Sequence, residues 1–236
     1  MKIQPQTVKR GIDYFIGGLV VWEIIIIIVY LVSGWPNREP YHLFDMDGRL
    51  NIPTLLQAGM ILSISLIFFA FALVKTKPGE KPRRSFWLTV GSFLLYAGLD
   101  EMFKLHLGFS GLVPIVGTKY WIGIYSFLIV GSGVVFYRDF KAVWDFYRPA
   151  VIVGLSGLGV AVFGAFFWEI FKYTLLPVLL SDFFPHRQIV AAFAEHLRVA
   201  VEEGLETFGE ILILYAVLLY AYKKLESWRQ ADQSRG

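Results

Sequence analysis

Five glutamates and a histidine crowd into one stretch near the end of the chain, EHLRVAVEEGLETFGE from Glu195 to Glu210. On a helix, at about 100° per residue, Glu202, Glu195, Glu206, Glu210, Glu203 and His196 fall in that order within about 120° of one face. The apolar run ILILYAVLLYAY follows without a break to Tyr222. An acidic stripe leading into a membrane-type segment needs a reason, because each carboxylate costs about 2.5–3.5 kcal/mol to place in hydrocarbon. Further acids interrupt other apolar runs: Glu23, the pair Asp100 and Glu101 followed by Lys104 and His106, and Glu169. Carboxylate and imidazole at this density can hold a divalent cation, carry protons or serve as a general base.

Three functions fit these residues. The leading one is a divalent metal site, since helical bundles build metal centres from inward-facing Glu and His on several helices. Glu203 and Glu206, three residues apart, share a face. With Asp100, Glu101, His106 and Glu169 they make the expected ligand set, and Glu202 stands beside them as a base for metal-activated water or dioxygen in a metal-dependent membrane enzyme. Oxygen ligands with one or two histidines suit manganese, iron, zinc, magnesium or calcium. The chain has no cysteine, which excludes thiolate metal sites, disulfides and a cysteine nucleophile. The second function is a cation- or proton-coupled transporter, and the third a non-catalytic subunit with membrane-protein partners. A plainer reading stands beside all three: Glu195 to Glu206 could rise above the headgroups as a solvated helix end, because Glu203 to Tyr222 already spans about 30 Å. That reading covers Asp100 and Glu101 less well, since they follow a long uncharged stretch. His106 taken alone reads as an interfacial histidine, His196 as a stripe-edge residue facing water, and His42 and His186 as loop residues. Glu23 reads equally as a site residue or as a neutral acid bonded to a neighbour.

The elements that must position these groups are membrane spans. Of 236 residues, 56% are hydrophobic and 17% charged, against about 25% charged in soluble proteins. Six segments are long enough to cross about 30 Å of hydrocarbon: 12–33, 52–74, 86–107, 119–137, 149–176 and 195–222. Such lengths predict an all-α fold, a single transmembrane domain over 1–236 built as a six-span helical bundle in the lipid bilayer. The connections 1–11, 75–85, 138–148 and 223–236 hold fifteen Lys and Arg, whereas the opposite ones hold only Arg38, Arg49 and Arg187. The bias predicts both termini in the cytoplasm and a multi-pass protein of the inner membrane. Basic residues are scattered between spans, so nucleic-acid binding has no support. The first apolar run continues to Val32 without a small-residue cleavage site and reads as a retained span.

Heights counted at about 1.5 Å per residue from the last basic residue place Glu23, Asp100, Glu101, Glu169, Glu203, Glu206 and Glu210 in one belt in the outer half of the membrane. Lys104, Lys172 and Arg198 share that belt and offset part of its charge. Small residues mark two close-approach surfaces: Gly131, Ser132 and Gly133 in span four, and Gly157, Ala161 and Ala165 in span five, one step from Glu169. In the first outer connection, Asp47-Gly48 predicts a turn and Pro53 a helix start, with Asp45 and Asp47 free to touch a cation. KTKPGEKPRR reads as a basic hairpin against anionic headgroups, and LLPVLLSDFFPHRQIVAAF as an interfacial elbow.

FDMDGRLNIPT before span two, LDEMFKLH at the end of span three, the glutamate of FFWEIF and EEGLETFGEILILYAVLLY resemble, in that order, an uncharacterised family of six-span bacterial membrane proteins with the patterns FDxDGExNxPTW, DExxxxHE and EExLExxG. The resemblance marks Asp47, Gly48, Asn51, Pro53, Asp100, Glu101, His106, Glu169, Glu202, Glu203 and Glu206. Arg49 stands where the family tends to have an acid, and Leu107 where it has Glu after His, so two acidic positions of the pattern are lost, the second of them from the implied ligand set. The resemblance implies a fold and a set of site positions, and no activity.

Overall fold

A computed structural model of the chain describes residues 5–35, 39–74, 79, 81–105, 120–174 and 188–233. Among the described residues the chain is all helical. The helices are α1 (Pro5–Ser33), α2 (Ile52–Leu73), α3 (Arg84–Phe103), α4 (Tyr120–Val135), α5 (Tyr137–Phe146), α6 (Arg148–Thr174) and α7 (Gln188–Gln233), with one 3-10 turn at His42–Phe44. Each of the six expected segments contains a helix among the described residues, but only four of these helices are both long and apolar enough to cross a membrane: Gln6–Ser33, Ile52–Leu73, Arg148–Ala165 and Ala192–Gln230. The six-span expectation is therefore corrected to four among the described residues. The apolar stretch of α4, Gly123–Val135, is too short. Helix α3 has 20 residues but carries Arg84, Asp100 and Glu101, and it stops at Phe103 because Lys104 turns left-handed, with φ 49° and ψ 49°.

Helix α7 is the axis. At 46 residues it is about 69 Å long, more than twice the hydrocarbon thickness. Helix α6 packs along it, α1 and α2 cover other faces, and α3 packs on α2. The α6–α7 seam is the tightest. A Cβ on Gly209 would come within 2.6 Å of the Gly157 carbonyl oxygen and the Ala161 nitrogen, and one on Gly164 within 3.0 Å of the Glu206 nitrogen. The seam thus runs Gly154, Gly157, Ala161 and Gly164, one residue off the expected Ala165 at its outer end. Van der Waals contact between backbones is what holds helices together where lipid removes the hydrophobic driving force. The other expected surface has no partner among the described residues: a Cβ on Gly131 or Gly133 of α4 would meet nothing within 4 Å.

Three apolar clusters complete the packing. At the basic end, Phe86 and Trp87 of α3 stack with Phe136, Phe140 and Tyr220. At mid-height, Ile16, Met60, Ile64, Ile211 and Leu214 join α1, α2 and α7. At the acidic end, Met46 is 1% exposed and packs with Ile26, Tyr30, Val199 and Ala200, so the connection after α1 folds back onto α7. Its FDMDGRLNIPT motif is a self-bonded clamp. Asn51 caps α2 by accepting from the Thr54 nitrogen at 3.0 Å and donates to the Asp45 carbonyl, while the Thr54 hydroxyl donates to the Gly48 carbonyl at 2.9 Å. Gly48 is required, because a Cβ there would collide with the Asn51 amide.

The basic hairpin has a structural task that its sequence conceals. Asp139 of α5, fully buried, accepts from the Arg83 backbone nitrogen at 2.7 Å, from its guanidinium at 2.7 Å and from Lys81 Nζ at 3.5 Å. Burial works to raise the Asp139 carboxyl, but the hydrogen bonds from Arg83 and the charge of Lys81 outweigh it and hold the group below its ordinary 3.8. A lowered carboxyl contributes stability that is complete above the unfolded value and is lost as pH falls through the folded one. Asp139→Asn is expected to cost about 1–2 kcal/mol at pH 7. The cost is modest because the Arg83 side chain, 47% exposed, can turn to water. Thermal unfolding in detergent checks it: the gap to wild type closes as pH falls below about 3.8.

Candidate functional site

The seam sets the rotation of α7. With Gly209 turned to α6, Glu206 lies at the seam's edge, where Gly164 meets its backbone and Cγ. Glu210 and Glu203 then fall progressively around toward α2, at about 100° per residue. All three are half-buried and face an acidic recess that Glu23, Glu101 and Lys104 approach within electrostatic reach. On the α2 side Gln57 donates to the Thr207 hydroxyl at 2.8 Å, and that hydroxyl donates to the Glu203 carbonyl at 2.9 Å.

Two other helices complete the recess. From α3 comes the ammonium of Lys104, 2.8 Å from Glu101 and facing Glu203 and Glu206. Holding a lysine in the left-handed region costs roughly 1–2 kcal/mol. Here that conformation swings the cation back over the acids. Beside it Asp100, 4% exposed, accepts from the Tyr125 hydroxyl of α4 at 2.7 Å. From α1 comes Glu23, 4% exposed, beside Thr207 and within electrostatic reach of Glu210. The single Thr207 proton is already committed to Glu203, so it leaves Glu23 unsatisfied. Among the described residues, both Glu23 carboxylate oxygens and Glu210 Oε2 are buried without a hydrogen-bond partner. Buried polar atoms are normally paired, so these oxygens are positions where a hydrogen-bond donor or a cation is stabilising.

Above the recess the acids are engaged. The Arg198 guanidinium binds Glu195 at 2.9 and 3.0 Å and also binds Glu202. Tyr30 stands 3.2 Å from His196 Nδ1, and Gly34 lies against that ring. His196 therefore packs under α1 and does not face open water. With Arg198, Val199 and Ala200 all buried, this part of α7 is covered by the clamp, contrary to a solvated helix end. The exposed Asp47 lends its charge to Glu203 from the clamp.

Of the expected ligands, the structure pairs Glu101 with Lys104 and leaves Glu203 and Glu206 within electrostatic reach of that ammonium. It holds Asp100 on Tyr125 and places Glu202, the expected base, on Arg198. His106, and the side chain of Glu169, lie outside the described residues, as does His186. Among the described residues no three His, Asp or Glu side chains stand close enough together to hold one metal ion. Glu23, Glu210, Gln57 and Tyr125 join the site beyond the expected ligand set. Gln57 had a legible signal, an amide in the middle of an otherwise apolar span.

Directly below the acids, toward the basic end, an apolar chamber of about 270 Å³ lies between α2, α3, α5, α6 and α7. Ile213 and Val217, on the acidic face of α7, line its inner wall. Leu94 of α3, Leu158 of α6 and Phe140 and Val143 of α5 also line it.

No curated protein and no solved structure matches the chain. A family model does match, over residues 15–221, a stretch that runs from α1 through the acidic face to the aromatic end of α7. By that match the chain belongs to the family described as Domain of unknown function (DUF8692), in keeping with the uncharacterised family that its motifs resemble.

Proposed function

We propose that this is a multi-pass inner-membrane protein, both termini cytoplasmic, that binds a cation in the recess between α1, α3 and α7, with a divalent metal ion as the leading occupant. One observation carries the reading: three carboxylate oxygens, on Glu23 and Glu210, are buried and unpartnered beside Glu101, Glu203 and Glu206, which share Lys104. An uncompensated buried carboxylate costs several kcal/mol, and a bound cation removes that cost. Glu101, Glu203, Glu206 and Glu210 would close on the ion from across the recess, with Asp100, His106 and Glu169 completing the expected set. Ligands that are mainly carboxylate oxygen favour hard ions such as magnesium, calcium or manganese over zinc and iron. In a metal-dependent enzyme, Glu202 could act as base only after leaving Arg198. A cation- or proton-coupled transporter draws less support, since the cleft below Glu210 is apolar.

The test is elemental analysis and calorimetric titration of detergent-purified protein beside Glu203→Gln and Glu206→Gln. Near-stoichiometric metal in the wild type, lost in both variants, is the expected result. Protein that carries no metal and binds none of these ions at micromolar concentration sinks the reading.

A further inference from the structure

We infer that the acidic recess and the apolar chamber form one binding site for a single-chain amphiphile with a cationic head, such as a long-chain amine. The inference rests on the recess taking positive charge, as proposed above, and adds the class of molecule that the cleft accommodates. Its first support is continuity. Glu203, Glu206 and Glu210 share one face of α7 with Ile213 and Val217, and the chamber begins one turn beyond the last acid. The second support is length. Glu210 to Tyr220, the chamber's far wall, spans about 15 Å, which is the hydrocarbon depth of one leaflet of a membrane about 30 Å thick. A chain entering with its head at the acids lies as it would in that leaflet. The third is volume: about 270 Å³ exceeds the roughly 150 Å³ apolar cavity that stays dry and binds benzene. The fourth is charge complementarity. Below the Arg198 pairs, Lys104 is paired with Glu101, and Glu203 and Glu206 lie within its electrostatic reach. The buried Glu23 and half-buried Glu210 leave oxygens unpartnered among the described residues, so acids outnumber the cation, a cationic head is attracted and an anionic one repelled.

Because bilayer hydrocarbon is as apolar as the chamber, chain burial alone confers little preference over lipid. Discrimination must come from the head. The probe is therefore dodecylamine carrying a terminal diazirine, compared with dodecyl sulfate carrying the same group, each at low mole fraction in phosphatidylcholine nanodiscs holding the full chain. Labelled positions are mapped by peptide mass spectrometry. The amine is expected to label 86–94 and 213–220 at least fivefold more than the sulfate does. Val217→Trp, which fills the chamber, is expected to cut that labelling at least fivefold while leaving the lipid-facing residues of α1 labelled as before. Glu210→Gln is expected to lower the amine's labelling and not the sulfate's. If Val217→Trp does not fold, Leu155→Trp, on the chamber's more exposed wall, replaces it. Equal labelling by the two heads overturns the inference, as does chamber labelling no stronger than that of α1, or labelling unchanged in the filled variant. Metal titration of the filled variant separates the two proposals: retained metal with lost labelling supports both, whereas labelling in protein that binds no metal leaves only the amphiphile standing.

Discussion

Gly209→Leu is expected to abolish the native fold, and Gly209→Ala to lower stability by about 1–3 kcal/mol, the usual range for overpacking a filled interface. The asymmetry with other glycines is what makes the expectation sharp. A Cβ on Gly209 would sit 2.6 Å from two backbone atoms of α6 and 2.7 Å from the Ala161 Cβ. None of these is the far end of a flexible side chain, so the helices must separate. Separation forfeits the close contact along Gly154, Gly157, Ala161 and Gly164, and lipid offers no hydrophobic force to restore it. Gly159 on the same α6 helix is the control. A Cβ there meets nothing within 4 Å, and removing a helical glycine gains roughly 0.5–1 kcal/mol, so Gly159→Ala is expected to be neutral or stabilising. Thermal unfolding in detergent reads all three variants. Equal tolerance at positions 209 and 159 would mean that α6 and α7 do not meet along this seam. For a chain this long, 1–3 kcal/mol corresponds to a Tm lower by roughly 2–12 °C.

The same seam shows which parts of the molecule were legible. Hydrophobic run length located all six helical segments within a few residues, except that α1 begins at Pro5, seven residues before position 12, and α7 extends far beyond 195–222 at both ends. Run length alone could not separate helices that cross a membrane from those that do not, because α3 fails on charge and α4 on the length of its apolar stretch. Small-residue spacing located the α6 surface but gave Ala165 for Gly164. A strict four-residue step drifts around a 3.6-residue helix, and the true contact line alternates steps of three and four. Gly131 and Gly133 show the limit of that signal, since small residues permit close approach without naming a partner. The acidic stripe was legible because its residues share one helix. That Glu23 and Lys104 share its height was legible too, but not which faces of α1 and α3 turn toward it, since that depends on how those helices are rotated. The role of Asp139 was hidden for the same reason, its partners lying in a hairpin more than fifty residues away.

Lys104→Met is expected to destabilise the protein by about 3–5 kcal/mol at pH 7, the range for removing one partner of a buried ion pair. The lysine side chain is 12% exposed and pairs at 2.8 Å with Glu101, itself 21% exposed, so lost charge cannot be replaced readily by water. The same ammonium lies within electrostatic reach of Glu203 and Glu206, so its removal also withdraws a positive charge from two further half-buried acids. Methionine keeps the volume and the apolar stem, which isolates the charge. Glu101→Gln in the same chain is expected to recover part of the loss, because it removes the carboxylate nearest to the missing ammonium. A double-mutant cycle measures that coupling. A cation added at saturating concentration is expected to stabilise Lys104→Met more than wild type, since it binds the folded recess and replaces the charge the lysine supplied. If Lys104→Met melts with wild type, the ammonium is not among the acids, and both the recess and the cation reading built on it fall together.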